Sequence, residues 1–283
     1  MRSLALVSVA LIVACGSLPA QTTTTIPPTT TTSAAITSTV PAVVGCPVDA
    51  AFVDRGVVTR KDQPTSDTNS LGLISWQVDE GCERFGIDFE TTEGAPATTP
   101  PAVVVEFLES RQILRVWTDV DTSVVTDQLV ETPLVDRLFV VRALDGGMFV
   151  DFHLAAPAQT RVAISNSPAR LSLELQTGLE SFTTRALVSD RVVVVTPADG
   201  AEAATTVNVV GYARTFEANV LVIATAAGEV VAETNVTAAD WIEAWGEFGA
   251  SIQAPIGEAS LFVGEESPED GRLTGVTINL TVR

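Results

Sequence analysis

Apolar and polar residues alternate along most of this chain with a period of two. In Arg84-Phe85-Gly86-Ile87-Asp88-Phe89 the apolar positions 85, 87 and 89 share one face, and Val276, Ile278, Leu280 and Val282 alternate with Thr277, Asn279, Thr281 and Arg283. That period belongs to half-buried antiparallel strands, whose successive side chains point to opposite faces. Asp145-Gly146-Gly147, set between RLFVVRAL and MFVDFHLA, predicts a hairpin turn in which glycine supplies positive φ. Val192 to Val195 is a continuous apolar run, the pattern of a strand buried on both faces. A helical period shows only weakly, around Thr126 to Val135 and Ala238 to Trp245. The pattern therefore predicts an all-β chain with a helical turn or two.

The strand series restarts between Ser181 and Asp190, after RLSLELQ (170–176) and before RVVVVTPADG. We expect two β-sandwich domains, one over residues 42–185 and one over 188–283. Strand signals recur in the second every eight to twelve residues or so, which suits an immunoglobulin-like sandwich. It lacks that fold's Cys…Trp…Cys spacing.

The N-terminus follows a different pattern. Met1-Arg2-Ser3 carries a positive charge, and Leu4 to Ala14 is apolar apart from Ser8. Such a run has the length of a signal-peptide core and falls short of the ~20 residues a membrane-spanning helix needs. It ends Ile12-Val13-Ala14-Cys15, which resembles the lipobox of bacterial lipoproteins, with Ile12 and Val13 departing from the usual Leu and Ala or Ser. The resemblance implies a signal peptide over 1–14 and a lipid on the Cys15 thiol after cleavage. The alternative is plain secretion with cleavage after Leu18-Pro19-Ala20. Residues 15–41 then form a linker dominated by Thr and Pro, without a charge, too polar to bury a core. In polyproline-like form, twenty such residues reach ~60 Å. The expected location is the extracellular face of a bacterial cytoplasmic membrane, held by acyl chains that each contribute ~0.8 kcal/mol per buried methylene. With Cys15 acylated, Cys46 and Cys82 remain as a pair, which an exported protein can keep as a disulfide; two unpaired thiols are the alternative.

Sixteen basic residues stand against thirty-five acidic ones, a formal net charge of −19. That field disfavours nucleic acid, anionic lipid headgroups and anionic wall polymers, which all recruit Lys and Arg.

Two resemblances sharpen the picture. VNVVGYARTFEANVLVIATAAGEVVAE, WGEFGASI and LFVGEESPEDG resemble the immunoglobulin-like domain of bacterial spore germination, Gmad2. The matching positions are Gly211, Ala213, Phe216 to Val220, Trp245-Gly246, Phe248, Ser267 and Asp270-Gly271. This implies an extracellular Ig-like fold without catalytic residues. CERFGIDFE (82–90), PPAVVVEFL (100–108), GGMFVDFHLAAP (146–157) and SPARLSLEL (167–175) resemble AMIN-like domains, which implies a cell-envelope, wall-facing role.

Candidate chemistry is sparse. His153, the one histidine, shares a strand face with Asp151, opposite the apolar face of 150, 152 and 154, and is expected near solvent. No Gly-x-Ser-x-Gly motif accompanies it. One His and two paired cysteines cannot fill the three or four ligand positions of a zinc site without unusual use of carboxylates. The acidic stretches TDVDTS (118–123) and EESPEDG (265–271) lack the EF-hand spacing for calcium. One Tyr and four Trp make a poor sugar-processing cleft. Phe216, Glu217, Asn219, Trp245, Phe248 and Asp270 are the sharpest positions of the second domain. They form either a binding patch, or a core and turn set in which Trp245 and Phe248 fill the sandwich, Gly246 turns, and Glu217 or Asn219 caps loop amides. The sequence thus predicts a non-catalytic envelope module that uses no cofactor and no small-molecule substrate, and that binds cell-wall glycan or an envelope protein. The alternatives are a cell-wall hydrolase using acidic residues such as Asp151, and a spore-germination accessory.

Overall fold

The computed structural model of the protein describes Cys46 and residues 51–108, 111–178 and 184–283. The expected signal peptide, Cys15 and the Thr/Pro run lie outside the described residues. The first half carries β1 (Val57–Lys61), β2 (Ser70–Asp79), β3 (Cys82–Glu90), β4 (Val103–Leu108), β5 (Ile113–Thr118), β6 (Thr122–Ser123), β7 (Asp127–Leu129), β8 (Val135–Arg142), β9 (Met148–Leu154), β10 (Ala158–Ser165) and β11 (Arg170–Thr177). The second half carries β12 (Leu187–Val188), β13 (Val192–Thr196), β14 (Ala201–Ala203), β15 (Thr206–Ala213), β16 (Asn219–Ala226), β17 (Glu229–Thr237), β18 (Trp245–Gln253), β19 (Gly257–Glu266) and β20 (Leu273–Val282). The protein is all-β, and the one helical element among the described residues is a 3₁₀ turn at Phe216–Ala218.

Each half is a sandwich whose inner residues alternate along its strands. In the first, the sheet β10-β11-β3-β2-β6 packs on the strands β1-β4-β5-β9-β8, enclosing Phe85, Ile87, Phe89, Val116, Leu138 and Phe152. In the second, the sheet β14-β20-β19-β16-β17 packs on β18-β15-β13-β12, enclosing Val192, Val209, Val222, Phe248, Leu261 and Ile278. The strict alternation at 276–282 lies in β20, with Ile278, Leu280 and Val282 buried as its period requires. The β8–β9 turn is the expected Asp145-Gly146-Gly147 hairpin, with φ of 95° and 75° at the two glycines and the Ala143 N–H donating to the Gly147 carbonyl at 3.1 Å. A side chain at Gly147 would also overlap the Thr118 carbonyl.

The two halves are not strung loosely on a linker. β8 carries β7 on the first part of its free edge, through Arg137 to Phe139, and β18 on the rest, through the parallel pairs Trp245↔Val141 and Gly246↔Arg142. One ten-stranded sheet therefore runs through both sandwiches. Its outer faces, one from each half, meet in a third core containing Ile113, Phe139, Val141 and Phe149 on one side and Val193, Val195, Tyr212 and Trp245 on the other. This explains the run Val192–Val195, buried at all four positions. Val192 and Val194 belong to the second sandwich, and Val193 and Val195 to the shared core.

Two expectations of helical turns are corrected. Residues 126–135 form β7 and the turn into β8. Residues 238–244 form an irregular loop leading into β18. Their apolar residues recur at helical spacing because Val130 and Leu134, and Ala238, Trp241 and Trp245, are buried or half-buried from loop or strand positions.

Cys46 and Cys82 are joined as a disulfide with Cα atoms 5.0 Å apart, closing a 36-residue separation. On the chain-entropy model that link contributes roughly 3–4 kcal/mol. Glu174 approaches the two sulfurs, but their bond to each other leaves neither as a thiolate ligand.

Candidate functional site at the junction of the sandwiches

Along β9, Val150, Phe152 and Leu154 point into the first sandwich, as the period of two demands. Phe149, Asp151 and His153 point the other way, and that face is covered by the second half. Asp151 is wholly buried, which corrects the expectation that it lies near solvent, whereas His153 is half-buried. An aromatic at 149 on the same face was the available sign that water does not reach it.

A buried carboxylate needs a partner, and Asp151 has one. Arg115, directly opposite on β5, donates from Nε to Oδ1 at 2.7 Å and from Nη2 to Oδ2 at 2.8 Å. The guanidinium also lies over the Phe149 ring, 3.6 Å from its centroid. Burial alone would weaken the hold of Arg115 on its proton, but the charge and hydrogen bonds of Asp151 more than reverse this. The guanidinium thus keeps its charge and meets the carboxylate as a planar, two-point pair.

His153 Nε2 is hydrogen-bonded to the Tyr212 hydroxyl at 2.5 Å. Burial pushes the imidazole down to about 4, only partly opposed by Asp151 and reinforced by Arg137, so the ring is neutral at ordinary pH. Burial, helped by the charge of Asp151, holds the Tyr212 phenol well above its usual value, so it too is neutral. The Tyr212 ring is fully buried and packs edge-on to Phe149 and Trp245, with ring centres 6.1 Å away in each case. It is tilted on Phe139 at 5.3 Å. The sole tyrosine and the sole histidine of the chain therefore meet across the junction. Chemically the set joins surfaces: the carboxylate is occupied at both oxygens, and no Ser, Thr or Cys bonds to His153 among the described residues.

The rim is polar. Arg142, at the end of β8, donates to Asp240 at 2.9 Å and, from its other nitrogens, to Glu243 and the Asp121 carbonyl. Asp240 Oδ1 accepts the backbone N–H groups of Trp241, Ile242 and Glu243 at 2.6, 2.9 and 3.2 Å. Burial raises the Asp240 carboxyl, but these four donors outweigh it and the net displacement is downward. The loop crosses β18 so closely that a side chain at Gly246 would overlap the Asp240 backbone. Gly246 is thus a strand residue giving room to a loop, and not the expected turn.

The remaining sequence candidates separate. Trp245 belongs to the shared core and donates from its indole to Asp127 at 3.4 Å. Phe248 fills the second sandwich. Phe216 is 53% exposed, packs edge-on against Trp241 at 5.7 Å, and its N–H donates to Glu265. Glu217 sits exposed at φ 54° in the 3₁₀ turn, and Asn219 opens β16 with its side chain exposed. Neither side chain caps a loop amide among the described residues. Asp270 accepts the Arg272 N–H at 3.1 Å in the β19–β20 turn, and the Ser267 hydroxyl and that N–H hold its carboxyl below the usual value. The six positions do not form one patch. Arg115, Tyr212, Arg142 and Asp240 were not singled out in the sequence, since each reads as a polar residue on an outer strand face or in a loop.

Fold and junction define an all-β protein whose C-terminal half is an immunoglobulin-like sandwich. The family model for Gmad2, the immunoglobulin-like domain of bacterial spore germination, matches residues 191–272. No curated protein and no solved structure matches the chain.

Proposed function

We propose that the protein is a non-catalytic envelope module, a lipoprotein anchored through Cys15 on the outer face of a bacterial cytoplasmic membrane. Its folded part engages wall glycan or an envelope protein as one rigid body. The observation that carries this reading is the junction. The acid–histidine pair nearest to a catalytic arrangement is spent on packing, with Asp151 held by Arg115 and His153 by Tyr212. The Ig-like match over 191–272 supports a binding module. The lipobox-like Ala14-Cys15 and the uncharged run behind it support the anchor.

Cutting the chain at 185/188 would expose Phe139, Phe149, Tyr212 and Trp245. The test therefore uses residues 42–283, a single compact unit. We expect its retention on purified sacculi or by a defined envelope protein, without turnover of the glycan or stem peptide. Peptidoglycan cleavage by this fragment, abolished in Asp151→Asn with the fold intact by circular dichroism, would overturn the reading in favour of a hydrolase. Incorporation of a palmitate analogue into the full chain, lost in Cys15→Ala, tests the anchor.

A further inference from the structure

A cavity of about 250 Å³ opens where the linker into the second half passes the first. Its charged lining is Arg111, Arg137, Arg185 and Asp136, with His153 beside them. Three guanidinium groups against one carboxylate is an inversion for a chain whose net charge is −19. Asp136 pairs with Arg185 at 3.1 Å, and Arg137 pairs with Asp127 just outside the cavity at 2.6 Å. Arg111 is the remainder. Among the described residues its terminal nitrogens donate only to the Thr184 and Thr196 hydroxyls, at 3.1 and 3.4 Å. Its Nε is buried without an acceptor, and no carboxylate among the described residues pairs with it. Burial accordingly disfavours its charged form with nothing to offset the loss.

We propose that this cavity binds a small monocarboxylate with a short apolar tail, its anionic end on Arg111 and its tail against Phe139 and Val188. Among the described residues, after Asp127 and Asp136 are counted, one positive charge is left over, which a single carboxylate balances and a phosphate dianion overshoots. A planar carboxylate also matches the guanidinium fork. Leu129, Phe139 and Val188 supply apolar wall, and the volume falls below the ~300–1,000 Å³ of drug-sized sites. His153 uses only Nε2 in its bond to Tyr212, which leaves Nδ1 as a further polar contact. The site is independent of where the protein is anchored.

The chemistry fits either a free acid or the C-terminus of a peptide. Titration calorimetry on residues 42–283 with isovalerate, with N-acetyl-glycyl-valine and with inorganic phosphate separates them. We expect one or both carboxylates to bind, weakened at least tenfold in Arg111→Gln and less in Arg111→Lys. Isovalerate binding alone assigns a free acid; binding of the dipeptide assigns a chain end. Val188→Asp places a negative charge at an exposed residue of the mouth and should weaken binding without touching the core, which keeps the test valid if Arg111→Gln unfolds. Absence of binding by both carboxylates, phosphate binding as tightly as they do, or affinity unchanged in the variants would each overturn the proposal.

Discussion

His153 makes the stability of the junction depend on pH. Folding holds its imidazole at about 4 against an ordinary 6.5, so the unfolded chain takes up the proton first as pH falls. The stabilising contribution is complete above 6.5 and is lost between 6.5 and 4. By linkage its full size is about 3 kcal/mol. Urea denaturation of residues 42–283 across that window should show the loss, and His153→Gln should flatten it. The comparison is needed because Glu83, 2% exposed and raised by burial, pulls the other way as pH falls. A slope that survives in His153→Gln would assign it to other groups. From the sequence, His153 could be assigned to a strand and a face, but not to a half-buried, desolvated environment. Burial there comes from Tyr212, some sixty residues later in the chain, and local alternation carries no information about which surface lands on a polar face.

At the scale of elements, the period of two found the strands because each has one face on a sandwich core. It misread residues 238–245 because an irregular loop leading into a strand places Ala238, Trp241 and Trp245 against core at intervals of three and four. What shapes that segment is Asp240, which gathers three consecutive N–H groups and the Arg142 side chain. A carboxylate surrounded by N–H donors does the work that regular hydrogen bonding does elsewhere. Asp240→Ala leaves those donors and a half-buried guanidinium without their acceptor, and should destabilise the fold by ~2–4 kcal/mol. Asp240→Asn keeps an oxygen for the backbone and should lose less. Denaturant midpoints of the two variants check this, and equal losses would refute the role given to the backbone bonds.

For the whole molecule, the sequence yields two series of strands and the family match covers only the second. What joins them was partly legible. The double-sided burial of Val192–Val195 required a second neighbour for that sheet, but not which one. The parallel pairing of β8 with β18 joins residues about a hundred positions apart, beyond any local pattern. The disulfide adds a mechanical property. Cys46 is bonded to Cys82, the first residue of β3, which lies between β11 and β2 in its sheet. A pull on the chain ahead of Cys46 passes through sulfur directly into the middle of that sheet, and the intervening segment, β1 and β2 included, carries no load. Stretched from its two ends in an atomic-force instrument, the oxidised chain should withhold the 36-residue loop, a deficit of about 120 Å at ~3.4 Å per residue, and release it only after reductant is added. Under tension from its N-terminal side, the first sandwich is loaded as a short-circuited chain.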